Sequence, residues 1–256
     1  MSLTRFLRSQ AVDLLAAFAF LTRLPLPTVP YDDGSLARAV KFFPLVGLAI
    51  GAGAALLYVA LTPHLPGPLP ALVVLLATVL TTGALHEDGL ADAADAFGGG
   101  LRDRTRILAI LRDSRIGSYG AIALIVSLTA RLLLLASLPT SSFAAYLITA
   151  HVLCRWSSLP LSHWLAPARS PQDGMGSRIA HRTTGASLLA GSALTLAIVI
   201  PALHLMSIAP IVLSITVTLL TGLFFRARLG GITGDCFGAT NQLTEITVLF
   251  CGVWQR

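Results

Sequence analysis

Long apolar runs divide most of this chain into segments of about 20 residues, the length that carries a helix across a bilayer. Six runs are clear, a seventh is weaker, and short connections separate them. The predicted spans are Phe43–Thr62, Leu69–Leu85, Tyr119–Leu138, Phe143–Leu165, Ala186–Met206, Ile208–Phe225 and the weaker Ala239–Trp254. The pattern therefore predicts an all-α protein, a polytopic integral membrane bundle of six to seven transmembrane helices.

The composition indicates that lipid is the main solvent of this chain. Hydrophobic residues make up 55% of it and charged residues 12%, whereas an ordinary soluble domain carries about 25% charged residues. We expect a single membrane domain over residues 1–256, with the transmembrane bundle over 43–256. Residues 1–42 begin with a basic, apolar stretch that Asp13 and Arg23 interrupt, which predicts an interfacial or partly inserted helix rather than a cleaved signal.

Arginine is concentrated in three connections, and this distribution predicts the side of the membrane on which they lie. Residues 87–118 contain five Arg, residues 166–185 contain three, and residues 226–238 contain two. Because Lys and Arg accumulate on the cytoplasmic side, the three loops are predicted to share the cytoplasmic face of a prokaryotic inner membrane. The net charge of +6 fits anionic lipid or phosphate better than nucleic acid.

The first of these loops directly follows an apolar span, yet it contains half of the acidic residues of the chain. Six of the twelve Asp and Glu residues lie between Glu87 and Asp113. On a helix, Asp88, Asp92 and Asp95 would share one face. Their charges would repel one another, and a hard divalent cation is the simplest remedy, so the spacing predicts Mg²⁺, with Mn²⁺ as an alternative. A solvated helix end is the competing interpretation.

The motif LRDSRIGSYG, at residues 111–120, lies just before the next span. Arg112 and Arg115 flank Ser114 there, and the arginine fork matches the oxygens of a phosphate. The glycines of the motif allow its backbone to approach a ligand closely. We predict phosphate binding by Arg112, Ser114 and Arg115, against the alternative that the arginines only orient the span.

A polar stripe runs along the weakest predicted span. Four residues spaced 3, 3 and 4 apart share one face of an otherwise apolar helix. They are Asp235, Gly238, Asn241 and Glu245. Polar residues inside a span face the protein interior and usually serve function, although hydrogen bonds between helices would also explain them. Arg155 in the fourth span needs similar surroundings, so Arg155, Asn241 and Glu245 are predicted to bind substrate.

Acids suited to a metal and arginines suited to phosphate, on one face of a membrane, indicate phosphoryl chemistry. Residues 166–185 add Arg178, His181 and Arg182, and we expect this loop to cover the site. The main alternative is an ion-coupled transporter, because intramembrane acids also line ion pathways, and a scaffold for a membrane complex is a third. The acids gather at one face and no inverted repeat is evident, which favours the enzyme.

The chain resembles the cobalamin synthase family, the adenosylcobinamide-GDP ribazoletransferases, nearly from end to end. Six motifs carry the resemblance. They are LTRLPLP at 21–27, KFFPLVGLAIG at 41–51, GALHEDGLADAADAFGG at 83–99, RDSRIGSYG at 112–120, GMG at 174–176 and TGDCFGATNQLTE at 233–245. Two positions depart from the family pattern, since Glu87 stands where a hydrophobic residue is usual and Cys236 stands where Thr is expected.

The resemblance implies the reaction in which the ribose 3′-hydroxyl of α-ribazole, or of its 5′-phosphate, attacks the cobinamide-side phosphorus of adenosylcobinamide-GDP and releases GMP. It implies an Mg²⁺-dependent transferase with these substrates and surrounding membrane lipid. The implied metal ligands are Asp88, Asp92, Asp95 and Asp113. The candidate bases for the hydroxyl proton are His86 and Asp235. A homo-oligomer and a complex with other cobalamin-assembly enzymes both stay open.

Overall fold

The computed structural model describes residues 3–27, 34–100, 102–169, 179–180 and 182–255. Within these ranges every regular element is helical apart from one isolated β-bridge, so the predicted all-α class is confirmed. The helices are α1 (Leu3–Leu21), α2 (Ser35–Ala39), α3 (Phe43–Leu61), α4 (Leu69–Thr82), α5 (Leu85–Gly99), α6 (Arg104–Ile110), α7 (Ser118–Ser137), α8 (Phe143–Trp156), α9 (Ser158–Trp164), α10 (Gly185–Leu203), α11 (Ile208–Leu229) and α12 (Gly234–Trp254). Arg178, His181 and the GMG motif at 174–176 lie outside the described residues.

Most predicted spans correspond to one helix each, with small shifts at most ends. The exceptions are Phe143–Leu165, which divides into α8 and α9, and Ala239–Trp254, whose helix begins five residues earlier at Gly234. Three helical stretches of the described chain are long and apolar enough to cross a membrane, or four if α4 and α5 form one broken span. A polytopic membrane bundle is therefore confirmed. The break falls at Gly83, which ends α4 in the left-handed region at φ 63°, and α5 leaves at an angle of 85° to α4.

The longest apolar stretch, Gly185–Leu229, contains 45 residues and folds back on itself. A straight helix of that length would extend about 68 Å at about 1.5 Å per residue. Yet the carbonyl of Thr183, next to α10, lies 2.7 Å from the ring of His163. Leu229, at the end of α11, is tied through one arginine side chain to Ala168. Both ends thus meet one short segment, and the stretch forms two helices, α10 and α11, where the sequence predicted two spans.

Helix α12 lies at the centre of the bundle and packs against α5, α7, α8 and α11. Glycines bring α5 and α12 into close contact, since a Cβ added at Gly89 would lie 3.1 Å from the Cα of Gly238. The same Cβ would lie 3.2 Å from the Cα of Asp235. This close approach places the first turn of α12 against the acidic part of α5.

Residues 87–99 were expected at the start of a loop, and the structure places them in a helix that packs between α7 and α12. Small side chains make this possible, because Ala91, Ala93 and Ala96 are buried against the neighbouring helices. The predicted N-terminal helix is also present as α1. Its Asp13 is buried and forms ion pairs with Arg38 and Lys41 at 3.2 and 3.3 Å.

Candidate active site

A cavity opens between the end of α1, the start of α5 and the start of α12. Its polar side contains His86, Asp88 and Asp235. Its apolar side is formed by Phe20, Leu21, Phe43, Leu85, Ile179 and Phe237. Pockets that combine a few polar groups with an apolar wall are typical of small-molecule sites. Both residues predicted as candidate bases therefore lie on one cavity.

Asp92 follows Asp88 by one turn of α5 and is absent from the described lining of this cavity. Asp92 is half-buried, and the charges of Asp235, Asp88 and Asp95 all act on it. The helix that the acid spacing required is present. Among the described residues, neither Asp88 nor Asp92 forms an ion pair, and Asp235 has only Arg169 at 3.9 Å. We name Asp88, Asp92 and Asp235 the cavity acids; Arg169, whose charge also acts on Asp92, relieves their mutual repulsion only in part.

Asp95 has a role that the spacing did not reveal. Its Oδ2 accepts a hydrogen bond from the backbone N–H of Gly117 at 2.7 Å, and its Oδ1 accepts one from Gly120 at 2.8 Å. A Cβ at Gly117 would lie 2.4 Å from this carboxylate, so the contact requires glycine. Asp95 therefore caps the first turn of α7 and attaches the RDSRIGSYG motif to α5. A metal at Asp95 would share these oxygens with two backbone donors.

The exposed RDSRIGSYG loop pairs two of the predicted site residues with each other. Arg115 donates from Nη2 to Asp113 Oδ2 at 2.7 Å and from Nε to Oδ1 at 3.0 Å. The side-chain hydrogen bond from Arg115 lowers the pKa of Asp113 to about 2. Arg112 and Ser114 are also exposed. Asp113 and Arg115 share an open groove with Asp95, and each must exchange its partner before it binds metal or phosphate.

A second ionic cluster lies deeper, between α5, α7 and α12. Arg131, for which the sequence suggested no role, donates from Nη1 to Glu87 and from Nε to Glu245, the latter at 2.9 Å. Gln242 accepts from Arg131 at 3.1 Å and donates to Glu87 at 3.3 Å. We name these four residues the inner cluster. All are buried. Glu245 joins helices and is absent from the described lining of the cavity. Glu87, whose charge is unusual at its position in the family pattern, has Arg131 as its partner.

Arg155 and Asn241 also lie in the interior and are absent from the described lining of the cavity. Arg155 donates to the carbonyl of His151 at 3.1 Å, and Asn241 donates to the carbonyl of Cys154 at 3.1 Å. Nε of Arg155 and Oδ1 of Asn241 remain buried without partners. The polar stripe of α12 therefore serves mainly contacts between helices below Asp235, the interpretation that the sequence left open.

The donor set of the cavity acids suits a hard divalent cation. Oxygen ligands alone favour Mg²⁺, which keeps several waters and is usually held by one or two carboxylates together with substrate phosphates. Such a site needs no closed cage. Within the described chain, only His151, Cys154 and Glu245 bring their ligand atoms within 4.8 Å of one another. That cluster is unsuited to a cation, because two buried arginines donate hydrogen bonds into it.

Arg169, which no sequence pattern had indicated, lies beside Asp235. Its side chain is 12% exposed, and its Nη2 lies 3.9 Å from Asp235 Oδ2. In sequence it is one of several arginines in a basic loop. Only the packing of residues 166–169 against the turn before α12 sets it apart.

Fold and site together define an integral membrane protein with a carboxylate-rich cavity at one end of its helical bundle. Residues 13–253 match the family model of cobalamin-5-phosphate synthase. The chain belongs to this family, and the resemblance seen in its motifs is confirmed. The curated relatives are transferases by name, and nothing in these matches supports a transporter.

Several curated adenosylcobinamide-GDP ribazoletransferases align with almost the whole chain. The protein of Sinorhizobium medicae is 41% identical over 255 residues, which cover 93% of this chain and 94% of the relative. The protein of Rhizobium johnstonii is 41% identical, with 95% and 96% covered, and that of Azorhizobium caulinodans is 42% identical, with 93% of each covered. No solved structure matches the chain.

Proposed function

We propose that this protein is a membrane transferase of cobalamin biosynthesis. It transfers the adenosylcobinamide-phosphate group from adenosylcobinamide-GDP to the ribose 3′-hydroxyl of α-ribazole, or of its 5′-phosphate, and releases GMP. Family membership and the names of the relatives support this reaction. The observation that carries it in the structure is the group of three cavity acids, which has Arg169 as its one ion-pair partner among the described residues and borders an apolar wall.

The cavity acids are the residues that would hold Mg²⁺. When bound, the ion supplies positive charge to the diphosphate and stabilises the leaving phosphate oxygen. Asp88 and Asp235 face the cavity from two different helices, so the diphosphate is oriented by α5 and α12 together. His86 lines the same cavity and is placed to accept the proton of the attacking hydroxyl, with Asp235 as the alternative base.

The apolar wall fits the flat base of α-ribazole. Phe20 and Phe43 lie on this wall and stack with ring centroids 5.8 Å apart. Phe237 approaches from α12. A planar base placed against these rings leaves its ribose towards His86 and the acids, the orientation that the transfer requires.

We place the cavity on the cytoplasmic face of the inner membrane, because the arginine-rich segments lie around it. Two single-cysteine variants, Ser114→Cys and Ser141→Cys, test this in a background without native cysteine. Both positions are exposed and lie at opposite ends of the α7 region. An impermeant thiol reagent outside intact cells should label Ser141→Cys alone. Labelling of Ser114→Cys instead would show that the protein has the opposite orientation in the membrane.

The proposed reaction is tested with purified protein, adenosylcobinamide-GDP, α-ribazole 5′-phosphate and Mg²⁺, with GMP release as the measurement. We expect GMP in equal amount to the cobalamin product, loss of both on chelation with EDTA, and recovery with Mg²⁺ or Mn²⁺. Turnover in excess EDTA, with metal shown to be absent, removes the metal from the proposal. A folded protein that releases no GMP under any of these conditions refutes the reaction.

A further inference from the structure

Arg169 is a largely buried cation, and two of its donors have no hydrogen-bond partner among the described residues. Its side chain is 12% exposed, and Nε and Nη2 are both buried without an acceptor among the described residues. The nearest carboxylate oxygen, Oδ2 of Asp235, lies 3.9 Å from Nη2, outside hydrogen-bonding distance. Buried guanidinium donors are normally hydrogen-bonded, because the water that they lose has to be replaced.

The two unpaired donors form one edge of the guanidinium plane. Nε and Nη2 point in the same direction, and this edge binds two oxygens of one anion side by side. Two other arginines near the site use their donors within the protein. Arg104 donates from the same two atoms to backbone carbonyls at 2.7 and 3.1 Å, and Arg131 donates to Glu87 and Glu245. The edge of Arg169 therefore remains for a ligand.

The backbone holds Arg169 in this position. Ala168 N–H donates to the carbonyl of Ile232, and Ile232 N–H donates to the carbonyl of Ala166, both at 2.9 Å. The approach is close enough that a Cβ at Gly231 would lie 2.3 Å from the Ala166 oxygen. The segment before Arg169 is thus fixed against the turn that leads into α12, beside Asp235.

We propose that Arg169 binds a phosphate group of the substrate diphosphate, with Nε and Nη2 donating to two of its oxygens. The assignment of that phosphate to adenosylcobinamide-GDP rests on the proposed function, whereas the anion site itself rests on the geometry. A phosphate held there lies next to Asp235 and at the edge of the cavity. Its binding supplies the acceptors that the guanidinium edge lacks among the described residues.

The test measures binding of inorganic pyrophosphate and of GMP to the full-length protein in detergent by calorimetry. Arg169→Lys keeps the charge beside Asp235 but removes the two-pronged edge, and Arg169→Gln also removes the charge. Arg106→Lys and Arg106→Gln are matched controls, since Arg106 is exposed on α6 outside the cavity lining. We expect at least about tenfold weaker binding for Arg169→Lys, a larger loss for Arg169→Gln, wild-type binding for the controls, and an unchanged melting temperature throughout.

A structural role for Arg169 predicts the opposite pattern, a lower melting temperature for both variants with affinity unchanged, and this result would overturn the proposal. Arg169→Lys decides the question even if Arg169→Gln fails to fold. The proposal and the reaction also fail separately. Pyrophosphate binding that depends on Arg169 in a protein without GMP release supports the anion site and refutes the reaction. Normal turnover in both variants, with wild-type affinity for pyrophosphate and wild-type KM, supports the reaction and refutes the anion site.

Discussion

Glu87 and Asp88 are consecutive residues of α5, yet their carboxylates lie in opposite environments. Glu87 is 5% exposed and accepts a hydrogen bond from Arg131, whereas Asp88 is exposed and faces the cavity. Neighbouring residues on a helix point about 100° apart, which is enough to send one inward and the other towards solvent. The difference shows that one acidic charge can be matched within the protein while that of its neighbour in sequence is left open to the cavity.

The two regions depend on each other. The inner cluster fixes α5, α7 and α12 relative to one another, because its members come from all three helices. The cavity acids lie on two of the same helices, so their separation depends on that arrangement. Variants of the inner cluster should therefore change stability first, and variants of the cavity acids should change activity alone.

The largest effect is expected from Arg131→Met, which leaves Glu87 and Glu245 buried without a cation. Removing one partner of a buried ion pair costs about 3–5 kcal/mol, and thermal unfolding in detergent should report it. Neutralising all three groups with Glu87→Gln, Arg131→Met and Glu245→Gln should recover most of that stability. If Arg131→Met is as stable as the wild type, the inner cluster does not hold the helices together.

Asp88→Asn should reduce GMP release by more than about 100-fold, since even outer partners of metal ligands are worth about 10- to 100-fold. Its melting temperature should stay at the wild-type value, because Asp88 is exposed and has no ion pair in the described structure. Leu90→Ala, at a half-buried neighbouring position on the same helix, is the control for a purely structural change. Wild-type turnover in Asp88→Asn would make the cavity acids structural and favour the scaffold interpretation.

Arg115→Lys should slow turnover by a smaller factor. The substitution keeps the charge that orients the span but loses the two-pronged contact proposed with a substrate phosphate. That contact is worth roughly 1.5–3 kcal/mol, or about 10- to 150-fold in rate. Arg106→Lys, in the same connection between α5 and α7, is the matched control. Arg104 is unsuitable as a control, because it donates to the carbonyls of Ala168 and Leu229 and its substitution would disturb the packing. Equal and small effects at positions 106 and 115 would leave these arginines with an orienting role only.

The smallest effect is expected from the titration of Asp113. Its pKa is lowered from 3.8 to about 2 by the hydrogen bond from Arg115. Any stability from this pair is therefore complete above the unfolded pKa near 3.8 and is lost only as the pH falls towards 2. Melting temperatures of the wild type and Asp113→Asn should run parallel from about pH 5 to 8. Curves that diverge within that range would contradict the pairing with Arg115.

The sequence by itself determined the class of protein, most helix positions and the acidic face of α5. These features are local, because helix length follows from an apolar run and a shared face follows from residue spacing. Tyr119–Leu138, for example, was predicted within one residue of α7 at each end. The motifs that carry the family resemblance are likewise continuous in the chain.

Only the tertiary structure decided which charges are matched and which are open. Glu87 meets Arg131 across 44 residues of chain, and Arg131 meets Glu245 across 114. Arg169 lies beside Asp235, although in the sequence of its loop Arg178 and Arg182 drew attention instead. Spacing states which side chains share a helix face, but the neighbour of that face depends on how distant helices pack. For that reason Glu245 was predicted in the site and lies below it, while Arg169 was overlooked and lies at its edge.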